Sequence, residues 1–496
     1  MEGSTTQLTS LLDQIMISIP VFKPELVLIF AFLGSILSSL FFDQRWKYGS
    51  FTITVLGILL SAYFVFLQLG QLHTGFFGML LIDSFAVYSR LIILLALLPI
   101  LILLQQYAGH KGLKNLGDMY SILLAATVGI NLLTISTNWL MAFIAIETVS
   151  ISSYILVGYL FENRKQSEAT MKYVLFGSVS AAVMLYGLSL IYGFTGNLDF
   201  TSPAHIQGLI SAPQVMCSIA LLFVFVGIGF KLGFVPFHLW TPDVYEGAPT
   251  PITAFLSTIP KIGALILFER LFQAWASTLF YFSELTLLFV VVVAIVTMLI
   301  GNLIALRQSN VKRMMAYSSI GHTGFLLMAI ITAPTSDHHV LLFYLTVYTI
   351  TNIGVFAIIQ LLEQSIGSTE LAAYSGLGKK APLLFTFFTI LGISLVGLPP
   401  TAGFIGKLLV FTSTFDLYQS TKDIPILLLL ITGALTSVIS LFYYFKVPLY
   451  AFLRKEETET QTTLSGSALV YGITIVLGIA TLLLGIFPNL LSDLFD

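Results

Sequence analysis

One cysteine, Cys217, occurs in 496 residues. A single thiol excludes an intrachain disulfide, a cysteine-ligated iron–sulfur cluster and a zinc knuckle built by this chain alone. Its place inside an apolar run reads as a small buried hydrophobe. Charge is scarce as well: 9% of residues are Asp, Glu, Lys or Arg, against roughly 25% in water-soluble domains. The formal net charge of −2 argues against nucleic-acid binding. No polar stretch is long enough to form an extramembrane domain for a nucleotide or a flavin. The segment GIGFKLG at 227–233 lacks the G-x-G-x-x-G spacing of a phosphate loop and lies in an apolar run rather than after a strand. Met1 to Pro20 lacks the basic n-region of a signal peptide, so no cleavage is expected.

Apolar residues are abundant, at 57% of the chain, which places it among integral membrane proteins. A spanning helix needs about 20 apolar residues. That ruler predicts fourteen spans near 24–42, 50–69, 82–106, 118–136, 138–160, 171–194, 214–238, 252–275, 281–305, 314–333, 339–362, 381–412, 424–447 and 466–488. The fold class is all-α and polytopic. The least marked division separates the fourth and fifth spans, at Thr137 and Asn138. Positive charge is retained on the cytoplasmic side. Fifteen basic residues fall in loops after odd-numbered spans, among them Arg45, Lys47, Lys114, Lys312, Lys379 and Lys380; only Lys23, Arg270 and Lys422 fall on the opposite face. Both termini are therefore expected on the non-cytoplasmic side. Leu453 to Ser467 reads as a solvated cytoplasmic loop.

Two spans carry helix-breaking residues. In the seventh, Gly227, Gly229 and Gly233 precede Pro236 close to Lys231; in the twelfth, Pro399, Pro400 and Gly403 precede Lys407. Proline removes a backbone donor and clashes with the preceding turn. Carbonyls freed inside a membrane are tolerated only where protein or water satisfies them. Paired interrupted helices point to an ion site in repeat-built transporters. If spans four to eight and nine to thirteen are five-helix units, each broken helix is the fourth of its unit, and the second unit is inverted. The expected organisation is then 1–117, a three-helix segment; 118–275 and 281–447, the two units; and 448–496, a cytoplasmic loop and the last span.

An ionisable group near the bilayer centre costs about 2.5–3.5 kcal/mol on insertion scales, so each one kept there asks for a role. Glu147 is expected to be the only acid deep in a span, with Glu25, Asp83 and Glu363 toward span ends. Lys231, Lys261 and Lys407 lie in apolar runs. A buried lysine with a movable carboxylate partner is a site whose proton affinity can be switched. His322 in the tenth span and His238 after the seventh-span break are candidate relays. His338 and His339 read as an exposed loop with no third ligand for a metal. Arg90, with Asp83 seven residues back, reads as structural.

At these residues the chain resembles a known family. FKLGFVPFHLWTPDVYEGAPTP (230–251), KRMMAYSSIGHTGF (312–325) and GLPPTAGFIGK (397–407) are similar to signatures of the antiporter-like subunits of respiratory complex I and of multisubunit sodium/proton antiporters. The N type fits best: the length suits fourteen helices, no long lateral helix follows the last span, and residue 407 is lysine where the M type is expected to carry glutamate. The resemblance implies that Glu147 and Lys231 form an ion-paired switch, that Lys261 is the central relay, that Lys407 is the terminal proton site, and that His322 belongs to the hydrated axis between them. It also implies that NADH, FMN, iron–sulfur clusters and quinone are bound by partner subunits, which would include further antiporter-like subunits, with no cofactor or metal in this chain. A bacterial inner membrane is the expected location. Two other readings remain: a sodium/proton antiporter subunit sharing the same motifs, and a non-pumping scaffold whose buried charges only hold helices together.

Overall fold

The computed structural model describes residues 12–42, 46, 48–113, 116–160, 164–276, 280–333, 338–455 and 467–495. Most of the expected cytoplasmic loop at 453–467 lies outside the described residues, as do Arg45, Lys47 and Lys114. Among the described residues the fold is helical apart from one short hairpin, β1 (His73–Gly75) paired antiparallel with β2 (Leu80–Ile82). Among the described residues, thirteen helices are long and apolar enough to cross a bilayer, and a bent pair ending at Val396 raises the number to fourteen.

The helices are α1 (Lys23–Phe42), α2 (Gly49–Phe66), α3 (Ser84–His110), α4 (Gly117–Ile135), α5 (Trp139–Gly158) and α6 (Arg164–Thr195). The seventh is broken into α7a (Gln214–Leu232) and α7b (Trp240–Gly247). Then follow α8 (Thr250–Ala276), α9 (Tyr281–Ala305), α10 (Val311–Thr332) and α11 (His339–Ile366). The twelfth is broken into α12a (Pro382–Val396) and α12b (Ala402–Thr421), before α13 (Ile424–Tyr444) and α14 (Ala468–Ile486).

Polar side chains set several starts by accepting from the otherwise unpaired first-turn amides. Asp83 accepts from Ala86 N at 2.8 Å at the head of α3, and Asn138 from Leu140 N at 2.9 Å at the head of α5. Asn138 thus separates α4 from α5 at the place where apolarity alone divides them least. Asn310 does the same for α10, accepting from Arg313 N at 3.2 Å.

Burial sorts the helices. α8 is buried along its length and α10 and α11 nearly so, whereas α1, α6, α13 and α14 expose most of theirs. Their outward residues are large and apolar, such as Phe30, Val179, Val438 and Val476, as lipid contact requires. A buried centre of α8, α10 and α11 is therefore wrapped by lipid-facing helices, where backbone groups freed by a helix break need partners.

Both breaks fall where glycine and proline lie, with boundaries other than those expected. α7a runs without interruption through Gly227 and Gly229 and stops at Leu232, because Gly233 adopts the left-handed conformation (φ +68°) that favours glycine. Pro236 lies in the connection, and the second arm continues to Gly247, beyond the expected end at 238. In the twelfth helix, Pro399 and Pro400 lie in the connection. Gly403 does not: it belongs to the first turn of α12b, where a Cβ would run into the Ser394 carbonyl of α12a.

Candidate functional site

The first broken helix brings Lys231 to its last turn. The amine is buried and has no hydrogen-bond partner in the protein. It faces aromatic rings, 6.0 Å from the centroid of Tyr154 and 5.8 Å from that of Phe230. Glu147 on α5 is the carboxylate whose charge acts on Lys231. The expected ion pair is not formed, since the two residues share no nitrogen–oxygen distance of 4 Å or less. Glu147 is half-buried and accepts instead from Ser150 Oγ at 3.3 Å. The carbonyls freed by the break are taken by others: Trp240 Nε1 donates to Phe230 O at 3.0 Å and Thr323 Oγ1 to Leu232 O at 3.1 Å. His238 is buried in the connection, with Nδ1 unpartnered.

Lys261 lies in the buried centre. Its Nζ donates to Ser319 Oγ at 2.7 Å, Thr323 Oγ1 at 3.1 Å and Ser319 O at 3.1 Å, all on α10. Ser319 Oγ is 2.7 Å from the Tyr348 hydroxyl, which donates to Ser257 O at 3.1 Å. With that donation fixed, the hydroxyl of Ser319 must donate to Tyr348, giving an ordered chain from Lys261 across α10 to α11. Pro260, immediately before Lys261, cannot donate to Leu256 O. The Tyr245 hydroxyl of α7b donates to that carbonyl at 3.3 Å.

His322, on the same helix as Ser319 and Thr323, is clamped between two phenols: Nδ1 is 2.8 Å from the Tyr344 hydroxyl and Nε2 3.1 Å from that of Tyr444. Its ring lies 5.2 Å from the Tyr348 ring, centroid to centroid. Lys407, on α12b, donates to Val396 O at 2.8 Å, the last carbonyl of α12a, and to Ser437 Oγ at 3.3 Å. Its Nζ is 4.5 Å from the Phe325 ring centroid, and Phe325 is 6.3 Å from the His322 ring. Lys261, His322 and Lys407 thus form one sequence of polar and aromatic contacts through the buried core, with Lys231 at the other side of Thr323.

Several charged groups were not expected where they are. Two acids nearer helix ends, Glu25 and Glu269, are fully buried by the protein, whereas Glu147 is half-buried. Arg90 pairs with Glu25 at 3.2 Å and Gln68 at 2.7 Å rather than with Asp83. Asp83 instead receives both terminal nitrogens of Arg270, at 2.9 and 2.7 Å. His338 is half-buried beside Glu269, at 2.9 Å. Lys312, expected in a solvated loop, is buried and donates to Ala248 O at 2.6 Å. At the same end, Asp243 of α7b binds Lys172 and Arg313, each at 2.6 Å, tying α6, α7b and α10 together. Pairs spaced seven or fewer residues apart in sequence were the visible ones; these partners come from distant helices. Among the described residues no cluster of three or more His, Cys, Asp or Glu could hold a metal ion.

The family described as "NADH:quinone oxidoreductase/Mrp antiporter, TM" matches residues 136–440. NADH-quinone oxidoreductase subunit N 2 of Chloroherpeton thalassium is 40% identical, over 96% of this chain and 93% of its own length. A chain of respiratory complex I from Thermus thermophilus superposes with a TM-score of 0.77 at 30% identity, covering 95% of this chain and 98% of that one. A chain of the membrane-bound sulfane sulfur reductase, an archaeal respiratory membrane complex, gives a TM-score of 0.81 over 96% of both chains at 22% identity, a likeness of fold alone.

Proposed function

Because the chain belongs to the antiporter-like N subunits of NADH-quinone oxidoreductase, we propose that it moves protons along Lys231, Lys261, His322 and Lys407 as quinone is reduced elsewhere in the complex. It is an integral membrane subunit of a translocase and assembles with the other membrane-arm subunits. NADH, FMN, iron–sulfur clusters and quinone belong to those partners in this reading.

One observation carries the proposal: in a core that lipid-facing helices wrap, three lysines and a histidine are buried, with Lys261 held by hydroxyls of α10, His322 by two phenols and Lys407 by a freed carbonyl. Such groups are costly in a membrane and mark conduction paths. Lys231 has no hydrogen bond while Glu147 stands off. Approach of the carboxylate favours the charged amine, and withdrawal favours its neutral form. A proton released from Lys231 passes to Lys261, then to His322, held between the Tyr344 and Tyr444 hydroxyls, and on to Lys407. His238, buried beside the first break, is placed to serve as a further relay. The near full-length relatives favour this over a sodium/proton antiporter, because those named are quinone oxidoreductase subunits. The two five-helix units, 118–275 and 281–447, correspond in this reading, with both termini on the non-cytoplasmic side of a bacterial inner membrane.

The test compares Glu147→Gln and Lys231→Ala in the assembled complex reconstituted in vesicles. Both should oxidise NADH with less proton pumping per electron pair. Wild-type pumping by both variants would refute the switch, and loss of assembly without loss of pumping in the remaining complex would favour a scaffold.

A further inference from the structure

Glu269 stands apart from the axis, in the outer part of α8. It is eight residues beyond Lys261 on the same helix, about 12 Å along the axis at 1.5 Å per residue. The carboxylate is fully buried and neither oxygen accepts an aligned hydrogen bond from the protein. One oxygen lies 2.9 Å from Nδ1 of His338, the residue that precedes α11. That nitrogen is buried, yet about a third of the His338 side chain is exposed (34%). The imidazole therefore has an inner edge against a buried acid and an outer edge at the surface of the chain, and Phe85 stacks on its face at 4.2 Å.

The neighbouring charges are fixed. Arg270 is bound to Asp83 and to Thr134 O at 2.8 Å. Burial pulls the Asp83 carboxyl up, but Arg270 outweighs it and holds the group below its usual value. Arg90 and Glu25 form a separate buried pair behind them. Facing His338, then, are Glu269 and Arg270 from α8 and Asp83 from the connection before α3, and of these Glu269 is the one without a committed partner. A clamp needs no such residue: a buried carboxylate lacking hydrogen bonds is a poor structural element.

We propose that Glu269 and His338 form a proton-release site on the outer face, serving the path assigned above and resting on that reading and its orientation. A proton delivered from the axis to the outer face protonates the Glu269 carboxylate. The carboxylic acid then gives its proton to Nδ1 of His338, regenerating the carboxylate. The imidazolium loses the proton on its outer nitrogen to the aqueous phase and returns to a neutral imidazole. Burial pushes the His338 imidazole down, but the Glu269 carboxylate beside it prevails and holds it above its usual value. Acidifying the receiving compartment keeps the imidazole charged and blocks release.

The experiment uses the assembled complex in vesicles, with proton pumping per NADH oxidised measured as the pH of the receiving compartment is varied. Glu269→Gln should lower pumping at every pH with assembly intact. His338→Gln should lower it and remove its dependence on the receiving-side pH. Lys261→Ala serves as the control for the axis. If both outer variants pump as wild type while Lys261→Ala does not, the release site is wrong and the axis stands. If Lys261→Ala also pumps normally, the axis itself is wrong. Should Glu269→Gln fail to assemble, His338→Gln at the half-exposed edge decides alone: an unchanged pH profile overturns the proposal.

Discussion

Lys407 Nζ stands 2.8 Å from the carbonyl of Val396, so the lysine of the second broken helix closes onto the last carbonyl of its own first half. The first broken helix does the opposite. There Trp240 and Thr323 take the freed carbonyls, and Lys231 makes no hydrogen bond. One lysine is tied to its break and the other is left to respond to a charge at a distance, which suits a terminal site and a switch respectively.

Thr323 links the two halves of the site, accepting from Lys261 and donating to the carbonyl next to Lys231. Thr323→Val keeps the shape and removes both bonds. Leaving Leu232 O unpaired should cost about 1–3 kcal/mol, and proton pumping per NADH should fall. Thermal melting of the purified complex, paired with pumping in vesicles, checks both. Unchanged pumping would remove Thr323 from the path.

Tyr245 tests where structure ends and conduction begins. Its hydroxyl serves the carbonyl that Pro260 cannot reach and lies beside Ser319, with no hydrogen bond to a lysine. Tyr245→Phe should destabilise by about 1–3 kcal/mol through the buried carbonyl left bare, while pumping per NADH stays near wild type. A large pumping loss at normal stability would mean that the α7b–α8 contact belongs to the mechanism.

Orientation is open to a labelling test, because the native thiol, Cys217, is buried. Lys379→Cys and Lys422→Cys place thiols at exposed positions on what the basic-residue bias makes opposite faces. A membrane-impermeant maleimide should reach residue 379 from the cytoplasmic side and residue 422 from the other. Labelling of both from one side would overturn the topology.

The spans, the two breaks and the three lysines were legible because each is a local signal: apolar length, a proline, a charge in an apolar run. Asn138 shows the limit of length alone, since a capping side chain and not a polar gap divides α4 from α5. Glu269 was not legible. It lies near the end of an apolar run, beside Arg270, and reads as a span terminus; packing between distant helices buries it completely. Arg90 was assigned to its neighbour Asp83, but the helix turns it toward Glu25, 65 residues away. Lys312 likewise reads as a loop cation and is drawn into the core by the Ala248 carbonyl. Pro260 beside Lys261 was a usable signal that a third helix needed outside help for its carbonyl.

The central claim is that the buried lysines carry protons and do not merely supply charge, and Lys407→Arg tests it most directly. Arginine can still donate to Val396 O, so the second break should close and the complex assemble, but it is effectively never deprotonated in proteins. Pumping per NADH in reconstituted vesicles should fall to the level of Lys407→Ala, with assembly confirmed in parallel. Wild-type pumping by an assembled arginine variant would contradict the account and make Lys407 a fixed electrostatic element.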